Sequence, residues 1–77
     1  MVSKKKLSMM SRLAKEVRAR ASQGDTKGLH IGDVIEMFGI SYDTARKLMY
    51  ETTFFFKDLE YENGYLRVRS EFLEKEE

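Results

Sequence analysis

Gly39 stands between two short apolar stripes at helical spacing, and that arrangement limits what this chain can build. Val34, Ile35 and Phe38 form the stripe of one helix beginning near Ile31. Gly39 supplies the left-handed backbone position that ends it, and Ile40 plugs the corner. Ser41 is a good N-cap for a second helix, because its hydroxyl accepts a bond from an early helical N–H. Ala45, Leu48 and Met49 then return to the core. The outer side of the second helix keeps Asp43, Arg46, Lys47 and Tyr50, a polar rod on a rigid support.

The C-terminal half carries the sharpest local signal. Asn63-Gly64 lies between two alternating runs, and both residues tolerate the positive φ of a type I′ turn. With that turn, Glu62 faces Tyr65, Tyr61 faces Leu66, Glu60 faces Arg67, Leu59 faces Val68 and Asp58 faces Arg69. One side then holds Leu59, Tyr61, Leu66 and Val68, and the other holds two pairs of opposite charge, Glu60–Arg67 and Asp58–Arg69. A one-residue slip would bury charge, so pattern and turn specify one register. A lone hairpin is marginal and must pack on helices, with Glu62-Asn63-Gly64 projecting as a wing.

Upstream, Leu7, Met10, Ala14, Val17 and Ala21, with Leu13 beside them, mark an amphipathic helix over about residues 5–22. Residues 1–4 read as a flexible basic arm, and Gln23–Gly28 is a turn segment. Leu29-His30 has room only for a very short strand, where His30 is a packed or surface residue rather than a ligand. The second helix of the glycine-hinged pair is expected to end near Thr52-Thr53, where β-branched and aromatic residues take over. Strand parity then points Phe55 to the core and Phe54 and Phe56 away, unless the chain bends. Phe54 or Phe56 is expected to close the core beneath the first helix; the alternative is an exposed aromatic patch, which Phe72 and Leu73 of the acidic extension (71–77) are placed to cover. Residues 5–70 thus form one α+β domain, three helices on a small antiparallel sheet with a C-terminal hairpin.

Charge narrows the function. The net charge is only +1, which gives no bulk attraction to nucleic acid. The distribution is uneven, however: residues 1–20 carry seven Lys and Arg against Glu16 alone, while residues 71–77 carry four Glu against Lys75. Such a dipolar chain can bring its positive end to phosphate. The absence of Cys excludes disulfides, thiolate metal sites and a cysteine nucleophile, and one His cannot build a multi-histidine centre. No nucleophile–base set or phosphate-cradling glycine loop is visible, so neither an enzyme nor a cofactor is expected. The opening residues have charge but no apolar run of signal-peptide length, and nothing is long enough to span a bilayer; a cytoplasmic location is the expectation.

The order helix, short strand, helix, helix, strand, turn, strand resembles the winged helix-turn-helix proteins over nearly the whole chain. Val34, Phe38, Ile40 and Leu48 occupy the apolar positions of that motif, and Gly39 occupies its turn. Two positions depart: Ile35 stands where the family has a small residue and Ala45 where it has a branched one, which reads as a volume-conserving swap. In size the chain is similar to small winged-helix regulators of archaea and their plasmids or viruses.

The resemblance implies double-stranded DNA as partner, with the helix from Ser41 to about Glu51 entering the major groove. Arg46 is then the candidate for a bidentate contact to guanine. Ser41, Thr44 and Lys47 are candidates for phosphate, Tyr42 and Tyr50 for a thymine methyl or a phosphate, and Asp43 lies on the same face. Lys4, Lys5 and Lys6 are candidate phosphate or minor-groove contacts, as are Lys57, Arg67 and Arg69 beside the wing. Against this stand helix-surface pairs Asp43–Lys47 and Lys47–Glu51 at i,i+4, which would occupy the charges. Three readings follow: a sequence-specific DNA binder acting in transcription, an interaction module using Phe54, Phe56 or the tail toward a protein or a second copy, or an RNA binder whose aromatics stack bases, against which a groove-reading helix argues for duplex DNA. A connected face of Arg46, Lys47 and the N-terminal lysines favours the first.

Overall fold

Ser3 opens the first helix, its hydroxyl accepting a hydrogen bond from the Lys6 backbone N–H at 3.1 Å. Helix α1 then runs Lys4–Ser22. The computed structural model describes residues 3–72. Lys4 is therefore helical, not part of a flexible arm: a serine cap followed by three lysines, which are good helix formers, extends the helix back into the basic segment. Residues 1 and 2, the rest of that expected arm, lie outside the described residues. Met10, Leu13, Ala14 and Val17 are the buried stripe of α1, whereas Leu7, expected at its head, is exposed.

Strand β1 (Leu29–His30) leads directly into α2 (Ile31–Phe38), and α3 spans Tyr42–Phe55. Gly39 ends α2 with φ 62° and donates its N–H to the Ile35 carbonyl. Ala45 is fully buried and Ile35 packs at the core's edge. Strands β2 (Leu59–Glu62) and β3 (Tyr65–Val68) follow, and a 3-10 turn, Ser70–Phe72, ends the described chain. The sheet is antiparallel in the order β1-β3-β2. The architecture is α+β: three helices and a small three-stranded antiparallel sheet. The core sits among α1, α3 and β3, with Leu29, Met49, Leu59 and Leu66 fully buried in it.

The hairpin has the register dictated by its alternation, Leu59↔Val68, Glu60↔Arg67, Tyr61↔Leu66 and Glu62↔Tyr65. Asn63 and Gly64 hold φ 53° and 81° in the turn. Two features differ from expectation. The Arg69 N–H does bond to the Asp58 carbonyl, but the two side chains part. Asp58 takes a bidentate pair from Arg18 of α1 at 2.9 and 2.8 Å, and Arg69 Nε donates to the Lys57 carbonyl at 3.0 Å. The hairpin tip does not project freely either: Gly64 accepts from the Ile31 N–H at 2.8 Å and packs beside the His30 ring.

Helix α3 also continues past Thr52-Thr53. Both threonines satisfy their hydroxyls within the helix, Thr52 on the Leu48 carbonyl (2.7 Å) and Thr53 on that of Tyr50 (2.6 Å). Burial of Thr52 keeps this turn helical against its local strand propensity. Phe55, placed inward by strand parity, is consequently exposed, as is Phe54. Phe56 closes the core instead, with the Arg18 guanidinium 5.2 Å from its ring centroid. Phe72 is exposed rather than a cover, and Leu73 with the rest of the acidic extension lies outside the described residues. Among the described residues no helix is long and apolar enough to cross a membrane.

Gly28 is the one glycine with no room. At φ 98°, a Cβ would sit 2.7 Å from Arg67 Cβ and closer still to the Leu66 carbonyl oxygen. Gly28→Ala is expected to cost about 2–4 kcal/mol, read as a lower urea midpoint, from the disfavoured φ together with backbone displacement. The Arg18–Asp58 clasp generates a pH effect. Arg18's hydrogen bonds hold the Asp58 carboxyl below its ordinary 3.8 despite partial burial. The stability it adds is complete above that value and is lost as pH falls through the lower folded pKa. Asp58→Asn should lower stability by about 1 kcal/mol at neutral pH, since the pair is partly solvated. That difference should vanish in urea titrations carried out well below pH 3.8.

Candidate nucleic-acid interface

With Ala45, Leu48, Met49 and Thr52 buried, the 3.6-residue period of α3 forces Asp43, Arg46, Lys47 and Tyr50 outward, and all four are exposed. Ser41 caps the helix: its hydroxyl accepts from the Thr44 N–H at 3.3 Å and donates to Thr44 Oγ1 at 3.0 Å. Tyr42, in the first turn, is exposed by 56%.

Ion pairing decides which charges on this face are available. Neither i,i+4 pair expected on α3, Asp43–Lys47 or Lys47–Glu51, is present among the described residues. Glu51 is claimed by α1, with Lys6 Nζ 2.7 Å from its Oε1. That oxygen is otherwise enclosed, and the ion pair neutralises it. Lys6 is thereby occupied, while Lys47 and Arg46 have no carboxylate partner among the described residues, and neither do Lys4 and Lys5. Lys5, Lys6 and Lys47 line one groove between α1 and α3, which places the start of α1 beside the Lys47 side of α3.

The Arg46 guanidinium lies 5.7 Å from the Tyr50 ring centroid, and Tyr50 in turn packs on Tyr61 of β2 at 4.6 Å. Arg46 is thus held along an aromatic stack instead of by a carboxylate, which leaves its hydrogen-bonding edge open. Burial raises the Tyr61 phenol above its ordinary 10.0; Tyr42 adds to the rise, Arg46 opposes it and Tyr50 adds again. Tyr61 was legible as an inward strand residue but not as part of this site. The available signal was a tyrosine where Leu or Val would fill the space, since a phenol needs one wet end.

The hairpin contributes less. Arg67 is gripped by Glu60 at 2.8 Å and by Glu62, and those carboxylates favour its charged form. Arg69 gives one hydrogen bond, from Nε, to the Lys57 carbonyl; like the exposed Lys57, it lacks a carboxylate partner among the described residues. The structure therefore brings together Ser41, Tyr42, Thr44, Arg46, Lys47, Tyr50 and Lys5. It sets Arg67 and Arg69 apart, beside the hairpin, and of the two Arg67 is neutralised by carboxylates.

His30 has a structural role that its residue type did not signal. Its Nδ1 accepts from the Gly32 N–H at 3.0 Å, capping α2, and its ring packs edge-on against Tyr65 at 4.9 Å. Among the described residues no three His, Asp or Glu side chains converge as a metal-ligand set. Comparison of the chain with protein-family models, with curated proteins and with solved structures found no match.

Proposed function

We propose that the chain is a winged helix-turn-helix protein that binds double-stranded DNA sequence-specifically and regulates transcription, with α3 seated in the major groove. The observation that carries this reading is that Arg46 and Lys47, on the outer face of α3, have no carboxylate partner among the described residues, with Lys47 facing Lys5 across the α1–α3 groove. The helix has a formal charge of zero, yet Glu51 is neutralised by Lys6, so its outward side is net basic. Arg46 reads base edges as a bidentate donor to guanine. Lys5, Lys47 and the Ser41–Thr44 turn position the duplex through phosphates. Tyr42 and Tyr50 flank Arg46, and Asp43 at the start of α3 suits a cytosine amino group. The hairpin tip, acidic and tied to Ile31, stays out of the minor groove.

A second reading has one observation in its favour. Phe54 and Phe55 are exposed by 66% and 51% at the far end of α3, an apolar surface suited to a second copy of the chain or to a protein partner. Phe56, assigned to such a surface from sequence, is packed against the core and does not belong to it. The two readings are compatible, because dimerisation at the end of α3 would pair two DNA half-sites.

Fluorescence anisotropy with a duplex selected from a random pool and its scrambled counterpart, over a salt series, tests the proposal. The selected duplex should stay preferred at ~0.15 M salt. Arg46→Ala should erase about 1–3 kcal/mol of that preference, and Lys5→Ala should weaken both duplexes alike and lower the salt slope by about one. Indistinguishable behaviour of the two variants, or no selectable duplex, would overturn the assignment.

A further inference from the structure

The groove between the N-terminal turns of α1 and α3 is open to solvent on one side and offers about 220 Å³, and its lining is mostly apolar. Leu48, buried, and Met9, half-buried, supply the apolar walls, and the exposed Lys5 of α1 and Lys47 of α3 complete the lining. Lys6 also borders it but is neutralised by Glu51 at 2.7 Å. Among the described residues no carboxylate lines the groove, and none pairs with Lys5 or Lys47. Thr44 Oγ1 accepts the Ser41 hydroxyl proton at 3.0 Å, which leaves its own proton to donate to an occupant.

Size and chemistry together restrict the occupant. An apolar cavity of about 150 Å³ holds one benzene ring, whereas drug-sized ligands and cofactors need about 300 Å³ or more. The space here suits one ring, or a short alkyl chain, plus a single small polar group. Two lysines without a carboxylate partner among the described residues favour a negative group, and the apolar walls disfavour a fully hydrated ion such as free phosphate. We propose that this groove is a binding site for a small amphipathic monocarboxylate. The carboxylate sits between Lys5 and Lys47 and accepts from the Thr44 hydroxyl; the apolar body lies on Met9 and Leu48. Since Lys5 and Lys47 are also the proposed phosphate contacts, an occupant would weaken DNA binding. That consequence alone rests on the DNA reading; the site does not.

The test is an amide chemical-shift titration of the whole chain, without DNA, using sodium benzoate as probe. Benzyl alcohol serves as the uncharged counterpart and sodium chloride as the ionic control. Benzoate should shift the amides of residues 3–9 and 44–48 saturably, and benzyl alcohol should bind the same residues roughly fivefold more weakly. The exposed substitution Lys47→Gln should weaken benzoate roughly fivefold and leave benzyl alcohol unchanged. Equal affinity for the two probes, shifts centred elsewhere on α1, or only the shifts that sodium chloride also produces would each overturn the proposal. Because no DNA is present, failure here is distinct from failure of the DNA reading.

Discussion

Everything on the surface of this protein depends on how α3 is wedged between α1 and the sheet. Ala45, Leu48, Met49 and Thr52 fill one side of α3, facing a core built from the Met10–Val17 stripe of α1 and from Leu59, Leu66 and Val68 of the hairpin. A chain of 77 residues without disulfides has one core with which to offset the entropy of ordering. Burying four positions of α3 leaves no rotational freedom about its axis, so the direction of Arg46, Lys47 and Tyr50 is set by packing on the opposite side. Gly39 fixes the angle at which the chain enters α3, and Phe56, under the Arg18 side chain, fixes how it leaves.

Electrostatics then determines what this rigid face offers. Acids and bases are nearly balanced in number, so the character of each surface follows from which charges are paired. Glu51 is taken by Lys6, Asp58 by Arg18, Glu60 and Glu62 by Arg67, and Glu16 by Arg20. Each partly solvated pair adds little stability by itself. Collectively the pairs withdraw carboxylates from competition for the bases on α3. Arg46 rests on an aromatic stack of Tyr50 and Tyr61, which holds a guanidinium without satisfying its donors.

Much of the fold was legible because its constraints are local. The φ > 0 requirement of Gly39 and of Asn63-Gly64, and the period-2 alternation around the latter, determine the helix hinge and the complete hairpin register. Other features depend on neighbours distant in sequence. Asp58 was matched with Arg69 by strand register, but Arg18 lies 40 residues away and reaches it with a bidentate fork. The end of α3 was misplaced because Thr-Thr-Phe reads as strand, while burial of Thr52 by the fold keeps it helical. His30 as a cap escaped notice because histidine is not among the usual capping residues. At the site, the outward residues of α3 followed from periodicity; which of them stayed unpaired did not, since Lys6 and Glu51 meet only across two packed helices.

The central claim is that the outer face of α3, joined to Lys5, is where a DNA duplex sits. An amide and side-chain chemical-shift footprint of the chain on a selected duplex tests it most directly. The largest perturbations should fall on Ser41–Tyr50 and on the start of α1, including the Arg46 guanidinium, with the hairpin tip Glu62–Gly64 nearly unmoved. A footprint centred on Phe54, Phe55 and Phe72, or on the hairpin tip, would contradict it.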